Sequence, residues 1–237
     1  MSPRPKRITP QGSLPKAIIE IAWKQIGENG AAALSLRAIA RELEITAPAI
    51  YNYYPDRDAL VTALIVDAFT SFGDSQRQTG ESIPKSDLKK RFTALGLAYR
   101  AWALKYEQRY QLIFGTPIPN YKAPEDVTLP AAARALLPLM ETLQSLYNEN
   151  RLRVERQPQL TPALKTMLAD WQAFVSQAGF DVHEEVLYLS YIVWSRVHGL
   201  VALEIGHQQP AFITDPGEVF QREIESMKQQ YLDEEGF

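Results

Sequence analysis

Apolar residues recur at helical spacing along almost the whole chain. Leu14, Ile18, Ile21, Ala22 and Ile26 predict a first helix, with Ser13 as its N-cap and Gly30 just past its end. Leu88, Phe92, Leu95, Tyr99, Trp102 and Tyr106 form one stripe on a long helix. Leu164, Leu168, Trp171, Val175 and Ala178 form another, and Phe220, Ile224, Met227 and Tyr231 a third. Asp181 followed by Glu184 has the form of a capping box and predicts a helix running to about Ile205. Breaks are expected over residues 115–130, 153–162 and 206–216, where Gly and Pro collect. No alternating pattern is long enough for a strand. The expected fold is all-α, with nine or ten helices and no sheet.

Residues 34–60 carry a denser pattern. Ser35 can cap a short helix over Leu36–Leu43, Glu44-Ile45-Thr46 form a turn, and Thr46 can cap a second short helix opening at Ala47-Pro48. Leu36, Ile39, Leu43, Ile45 and Ile50 fill the apolar positions. Ala40 lies where two steeply crossing helices need a small side chain. Two short helices joined by such a turn form the DNA-reading helix-turn-helix.

Charge changes the picture in one respect. The formal net charge is −3, which is unusual for a DNA binder. Residues 1–60, however, hold eight Lys/Arg against six Asp/Glu, so the basic excess sits at the N-terminus on an otherwise acidic chain. There is no Cys, which excludes disulfides and thiolate metal sites. The start of the chain has no apolar run of signal-peptide type, and no long uninterrupted apolar segment follows. The expectation is a soluble, cytoplasmic protein with no membrane partner. His183, His198 and His207 are the three histidines, too scattered to suggest a metal centre. No Ser-His-Asp set, carboxylate pair or Gly-rich phosphate loop is recognisable, so neither an enzyme nor a cofactor is implied.

The segment with Gly30, Leu34-Ser35-Leu36-Arg37, Ile39-Ala40, Pro48-Ala49-Ile50-Tyr51, Tyr54 and Asp56-Arg57-Asp58-Ala59-Leu60 resembles the DNA-binding domain of the TetR family of transcriptional regulators. One position departs: the family usually has Gly in the turn, where Glu44 stands. The resemblance implies a helix-turn-helix domain over residues 1–57, three helices preceded by a basic arm. A helical ligand-binding and dimerisation domain would follow over 58–237. It implies DNA contacts for Ser35, Arg37, Thr46, Ala47, Pro48, Ala49, Tyr51, Asn52, Tyr53 and Arg57, with Arg4, Lys6 and Arg7 of the arm entering a minor groove or neutralising phosphates. Tyr54 is expected to pack instead. The spacing of Trp194 and His198-Gly199 also resembles a subgroup of C-terminal domains named for its Trp, His and Gly.

The helix over 182–205 is apolar nearly all round, with Leu187, Tyr191, Trp194 and His198 on one face and Val186, Leu189, Val193, Val197 and Leu200 on another. Such a helix is buried on two sides. A homodimer interface is therefore expected through Val186, Val193, Val197 and Leu200, joined by Ile224 and Met227 from the last helix. An effector cavity is expected among Tyr99, Trp102, Tyr106, Tyr110, Phe114, Trp171, Phe174, Trp194 and His198, suited to a small hydrophobic or aromatic molecule. The function these features imply is a dimeric repressor released from a double-stranded DNA operator by its effector. An activator, or a regulator with a protein effector, has the same features. A helical binding protein or enzyme with a vestigial DNA head is the alternative of a different class.

Overall fold

The computed structural model describes residues 14–154, 157–177 and 179–233. Ser13, the arm residues Arg4, Lys6 and Arg7, and Ala178 lie outside them. The described residues form ten α-helices: α1 (Leu14–Asn29), α2 (Leu36–Glu42), α3 (Ala47–Tyr51), α4 (Arg57–Glu81), α5 (Leu88–Lys105), α6 (Glu107–Phe114), α7 (Glu125–Asn148), α8 (Pro162–Gln177), α9 (Glu184–Ile205) and α10 (Pro216–Tyr231). A single 3₁₀ turn, Ala31–Ala33, follows α1. The expected all-α class holds. The described extended pairing is one isolated bridge, Leu152 to Leu232, which ties the end of α7 to the end of α10.

Two compact units divide these helices. One contains the residues up to Ala68 together with Gln108–Thr128, and the other Phe69–Glu107 with Leu129 onward. In the first unit, Ile18, Ala22 and Ile26 of α1 meet Leu36, Ile39 and Ala40 of α2 and Ile50 of α3 as its buried apolar set. Leu43 and Ile45, expected in the same set, are half-buried. Ser35 caps α2 by accepting from the Ala38 amide (3.4 Å), and its own N–H donates to Oε1 of the buried Gln25 (3.3 Å). Asp67 links three helices of this unit. Its Oδ2 accepts from Trp23 Nε1 at 2.7 Å and pairs with Arg109 Nη1 at 2.6 Å, while the Arg109 guanidinium lies 4.9 Å from the Trp23 ring centre.

The second unit is built around α9, which packs against α5, α8 and α10. Val186, Leu187, Leu189, Val193, Val197, Val201 and Ile205 are all buried on this one helix. It is 22 residues long and its most apolar 18-residue stretch reaches a mean hydropathy of 1.4, so by length and composition it alone of the described helices could cross a membrane. Burial on several sides in a helical core demands the same composition. A bidentate pair from Arg100 to Glu204 (2.5 and 2.7 Å) ties α5 to α9, and Arg196 to Glu223 ties α9 to α10.

Three local expectations are corrected. The break expected to last to Pro130 ends earlier, because α7 starts at Glu125 and runs through Pro130 and Pro138. An interior Pro costs about 3 kcal/mol. Burial of Ala131, Ala135, Met140, Leu143 and Leu146 along the same helix outweighs that cost. The stripe expected on one long helix through Tyr106 stops short of it: α5 ends at Lys105, Tyr106 is its C-cap with φ −126, and α6 starts anew at Glu107. The cap of α9 is not Asp181 but His183, whose Nδ1 accepts from the Glu185 amide at 3.3 Å. His183 is held there by stacking on Tyr147 (4.4 Å) and by its amide donating to Gln144.

Candidate nucleic-acid interface and apolar cavity

The turn between α2 and α3 closes as a Schellman motif. The Glu44 amide donates to Arg41 O (3.1 Å) and the Ile45 amide to Ala40 O (2.9 Å), which requires Glu44 to be left-handed, and its φ is 51. A side chain in this conformation costs about 1 kcal/mol relative to Gly. Glu44→Gly is therefore expected to stabilise the chain by about 1 kcal/mol. Urea titration checks this, and a stability equal to or below that of the parent would show that the Glu44 side chain compensates its backbone. Thr46 precedes α3 as expected but makes no side-chain cap. Pro48 stands at the second helical position and has no N–H to offer, and the Ala49 amide already donates to Thr46 O (3.0 Å).

With the apolar side of the head buried, a polar side remains. Arg37, Thr46, Pro48, Tyr51, Asn52 and Tyr53 are exposed, and Ala47 and Ala49 are half-exposed. Tyr51 and Tyr53 each keep 41% of their surface. Because α3 ends at Tyr51, Asn52 is its C-cap and Tyr53 lies beyond it. Arg41, one helical turn after Arg37, is exposed with it. The sequence reading omitted Arg41, although the spacing of four was visible. Ser35 is half-buried and occupied in capping. Arg57 differs from its expected role. Its Nη2 donates to Ala31 O (3.1 Å) and Ala32 O (3.4 Å), and Nη1 lies 3.6 Å from Asp58, so its donors hold the 3₁₀ turn against the start of α4. Tyr54 packs: burial, then the Asp67 charge, raises its hydroxyl pKa above the ordinary value.

The second unit contains a small void of about 30 Å³ lined by Phe72, Gln76, Phe92, Leu95, Gly96, Tyr99, Ala135, Leu136, Leu139, Val193, Trp194, Val197 and Ile224. Of the nine residues expected around a cavity, Tyr99 and Trp194 line it. His198 stands behind them, hydrogen-bonded through Nδ1 to the Tyr99 hydroxyl (2.9 Å) and stacked on Trp194 at 4.9 Å. Burial holds the His198 pKa below 6.5, which favours the neutral ring. Trp102 is core, against Phe72 (4.9 Å) and with Nε1 donating to Ser71 Oγ (3.1 Å), and Tyr106 lies 6.1 Å from its ring. Trp171 and Phe174, half-buried on α8, are not in the lining. Tyr110 and Phe114 pack on each other at 5.3 Å within the first unit. The sequence reading missed Phe72 and Gln76. The signal was a glutamine in register with Leu64, Ala68 and Phe72 on an otherwise apolar stripe of α4.

The residues expected at a partner interface also change place. Val186, Val193, Val197, Ile224 and Met227 are at most 5% exposed within the unit's own core, so they have no surface to give a partner. Leu200 is half-exposed. It lines an open groove between α9 and α10 with Ser195, Arg196, Gly199, Glu218, Val219, Arg222, Glu223 and Ser226.

Comparison with known proteins places both units. The description "Bacterial regulatory proteins, tetR family" matches residues 18–64, and "Tetracyclin repressor-like, C-terminal domain" matches residues 92–227. The HTH-type transcriptional regulator Rv1816 of Mycobacterium tuberculosis is 31% identical over 216 residues, covering 91% of each chain. The crystal structure of regulatory protein SCO4313 superposes with a TM-score of 0.70 at 32% identity, over 92% of this chain and 98% of that one. A TetR variant from Acinetobacter baumannii AYE in complex with minocycline shares the fold, with a TM-score of 0.52 at 15% identity over 94% of this chain and 96% of that one.

Proposed function

From the premise that this chain belongs to the TetR family of bacterial transcriptional regulators, we propose that it is a cytoplasmic, homodimeric, ligand-responsive repressor. Residues 1–57 act as its DNA-reading part, and 58–237 bind the effector and the partner subunit. The observation that carries this reading is the polar side of the head: Arg37, Tyr51, Asn52 and Tyr53 are exposed beside Ala47 and Ala49, while Ile18, Ala22, Ile26, Leu36, Ile39, Ala40 and Ile50 of α1–α3 are buried. A guanidinium, an amide and two phenols offer donors for base edges and phosphates, and the two alanines and Pro48 suit thymine methyls.

One such head buries too little surface for tight recognition, so two act together. The α9/α10 groove supports this, since Glu218 and Arg222 of opposite charge line it beside the internal Arg196–Glu223 pair. A two-fold axis could set such a pattern against itself. Selection from a pool of random duplexes should therefore return a near-palindrome, with half-sites about one helical turn (~34 Å) or a multiple apart. Enrichment of single, unpaired half-sites would exclude a symmetric reader.

The effector acts through the void of the second unit. At about 30 Å³ the void admits no aromatic ring as it stands. An apolar effector must therefore bind an expanded arrangement, and a ligand that prefers one arrangement shifts the population towards it. A hundredfold preference corresponds to about 2.7 kcal/mol of coupling. The small void also favours a second reading, in which the effector is another protein. A thermal-shift screen of small apolar molecules separates them, since a compound that binds the folded state raises the melting temperature.

A further inference from the structure

We infer that Gln76 is the residue that recognises the polar end of the effector, and that the effector is an uncharged, largely apolar molecule with one primary or cis amide, which pairs with the Gln76 side-chain amide through two hydrogen bonds. This rests on the effector function proposed above for the same void.

The wall of the void restricts the ligand first. None of its residues is charged. An ionised head would lose its hydration there and meet no counter-charge, which excludes carboxylates and ammonium groups. Three lining side chains carry a nitrogen or oxygen: Gln76, Tyr99 and Trp194. The Tyr99 hydroxyl is engaged with His198 Nδ1 at 2.9 Å, and the Trp194 ring is stacked on the same histidine at 4.9 Å. Gln76 stands apart from that assembly, on α4, and is 4% exposed.

The partners of Gln76 single it out. In the orientation that satisfies both ends of its amide, Nε2 donates to Leu95 O at 3.3 Å and Oε1 accepts from the Tyr99 N–H at 3.1 Å. Both bonds lie at the long end of the N–H···O range. Leu95 and Tyr99 are four residues apart within α5, so this carbonyl and this N–H are each other's ordinary partners in an α-helix. The backbone therefore does not need the glutamine. When the side chain turns away, the helix bond still satisfies both groups. The glutamine does need a partner, because a buried amide without one is costly. Thr142 and Ser190, the other buried polar side chains described in this unit, donate instead to carbonyls of their own helices, at 2.8 and 2.7 Å. Gln76 can thus exchange α5 for a ligand and orphan nothing in the wall.

The complement of a side-chain amide is another amide. An N–H and a C=O on the same side of a ligand meet Oε1 and Nε2 together, in a closed ring of two hydrogen bonds. A ketone, ester or ether offers an acceptor alone and leaves Oε1 without a donor. Phe72, Leu139 and Val197 of the same wall take the apolar body. Packing alone would be served as well by an unbranched apolar side chain of the same length, so Gln76→Met should fold with its stability little changed.

The test uses matched probes. Hexanamide and octanamide are titrated calorimetrically against methyl pentyl ketone and methyl heptyl ketone, in which a methyl group replaces the NH₂. An alkyl chain is thinner than a ring and asks least of a void of about 30 Å³. The full chain is compared with Gln76→Met, with circular dichroism as the folding control. The quantity read is the ratio of amide to ketone affinity, in which the different hydration of the two probes cancels between the proteins. The expected ratio is at least roughly tenfold higher in the full chain than in Gln76→Met, with ketone affinity retained by the variant. A second measurement needs no folded variant. In the full chain the side-chain NH₂ resonances of Gln76 should move on adding octanamide and far less on adding methyl heptyl ketone. Equal ratios in the two proteins, or equal movements with the two probes, would overturn the inference while leaving the void an effector site. A Gln76→Met chain that fails to fold would overturn it as well, since the amide would then be structural. If neither series binds the full chain, the void takes no apolar ligand, and the effector reading falls with the inference.

Discussion

Val193→Asp combined with Val197→Asp is expected to unfold the second unit rather than release folded monomers. The two valines are 3% and 5% exposed and line the apolar void between α5, α7 and α10. That lining holds no cation to neutralise a carboxylate. An unpaired buried charge costs several kcal/mol even after relaxation, and two of them approach the whole stability of a domain, about 5–15 kcal/mol. The far-UV helical signal should be lost at ambient temperature. A variant that keeps its helicity would contradict the burial described here. The proposed partner face calls for a different change. Gly199 is exposed on α9, and a Cβ there would meet nothing within 4 Å. Gly199→Arg therefore fits the isolated chain and should leave its helicity intact. In sedimentation it should give monomers if the α9/α10 groove joins two copies, and an undisturbed dimer would remove that groove from consideration.

Phe72→Ala is the second large effect. Phe72 is 1% exposed, meets Tyr99 edge-on at 5.0 Å and Trp102 at 4.9 Å, and forms part of the void wall. Removing the ring forfeits its transfer free energy and enlarges a space that the surrounding helices fill incompletely. The expected loss is about 3–5 kcal/mol, seen as a lower urea midpoint at an unchanged slope. A loss below about 1 kcal/mol would mean that the neighbouring rings collapse into the space. That would be informative for the proposed effector, since a wall able to move inward can also move outward.

The helix-turn-helix was legible because its signals are local. Gly30, with φ 77, stands just past the end of α1, Ser35 caps α2, and Ile39, Ala40 and Ile50 meet within a few residues of one another. Even the departure at Glu44 could be read, since a turn that requires a left-handed residue requires it whatever the side chain. What was not legible depends on distant contacts. Periodicity marked α9 as apolar on two faces but could not tell which face its own unit would cover. In the structure α5, α8 and α10 cover the stripe assigned to a partner. The aromatic residues on α5 and α6 were read as walls of one cavity. Tyr110 and Phe114 instead belong to the unit in which Arg109, Asp67 and Trp23 join helices more than 40 residues apart in sequence. The cap of α9 likewise went to His183, because Tyr147 and Gln144 reach it from α7. Arg57 kept its predicted place and lost its predicted freedom, since the carbonyls that hold it belong to a 3₁₀ turn that no periodicity announces.

The central claim is that the exposed side of the small head reads DNA, and the most direct measurement is a titration at fixed salt with a duplex selected from a random pool. The full chain, Arg37→Ala and Tyr51→Phe are compared by fluorescence anisotropy. Both residues are exposed, so neither substitution should alter the fold. Loss of the guanidinium or of the single phenol oxygen should each weaken binding by about 1–3 kcal/mol, roughly 5- to 150-fold. Affinities for both variants equal to that of the full chain would contradict the assignment of this surface to DNA.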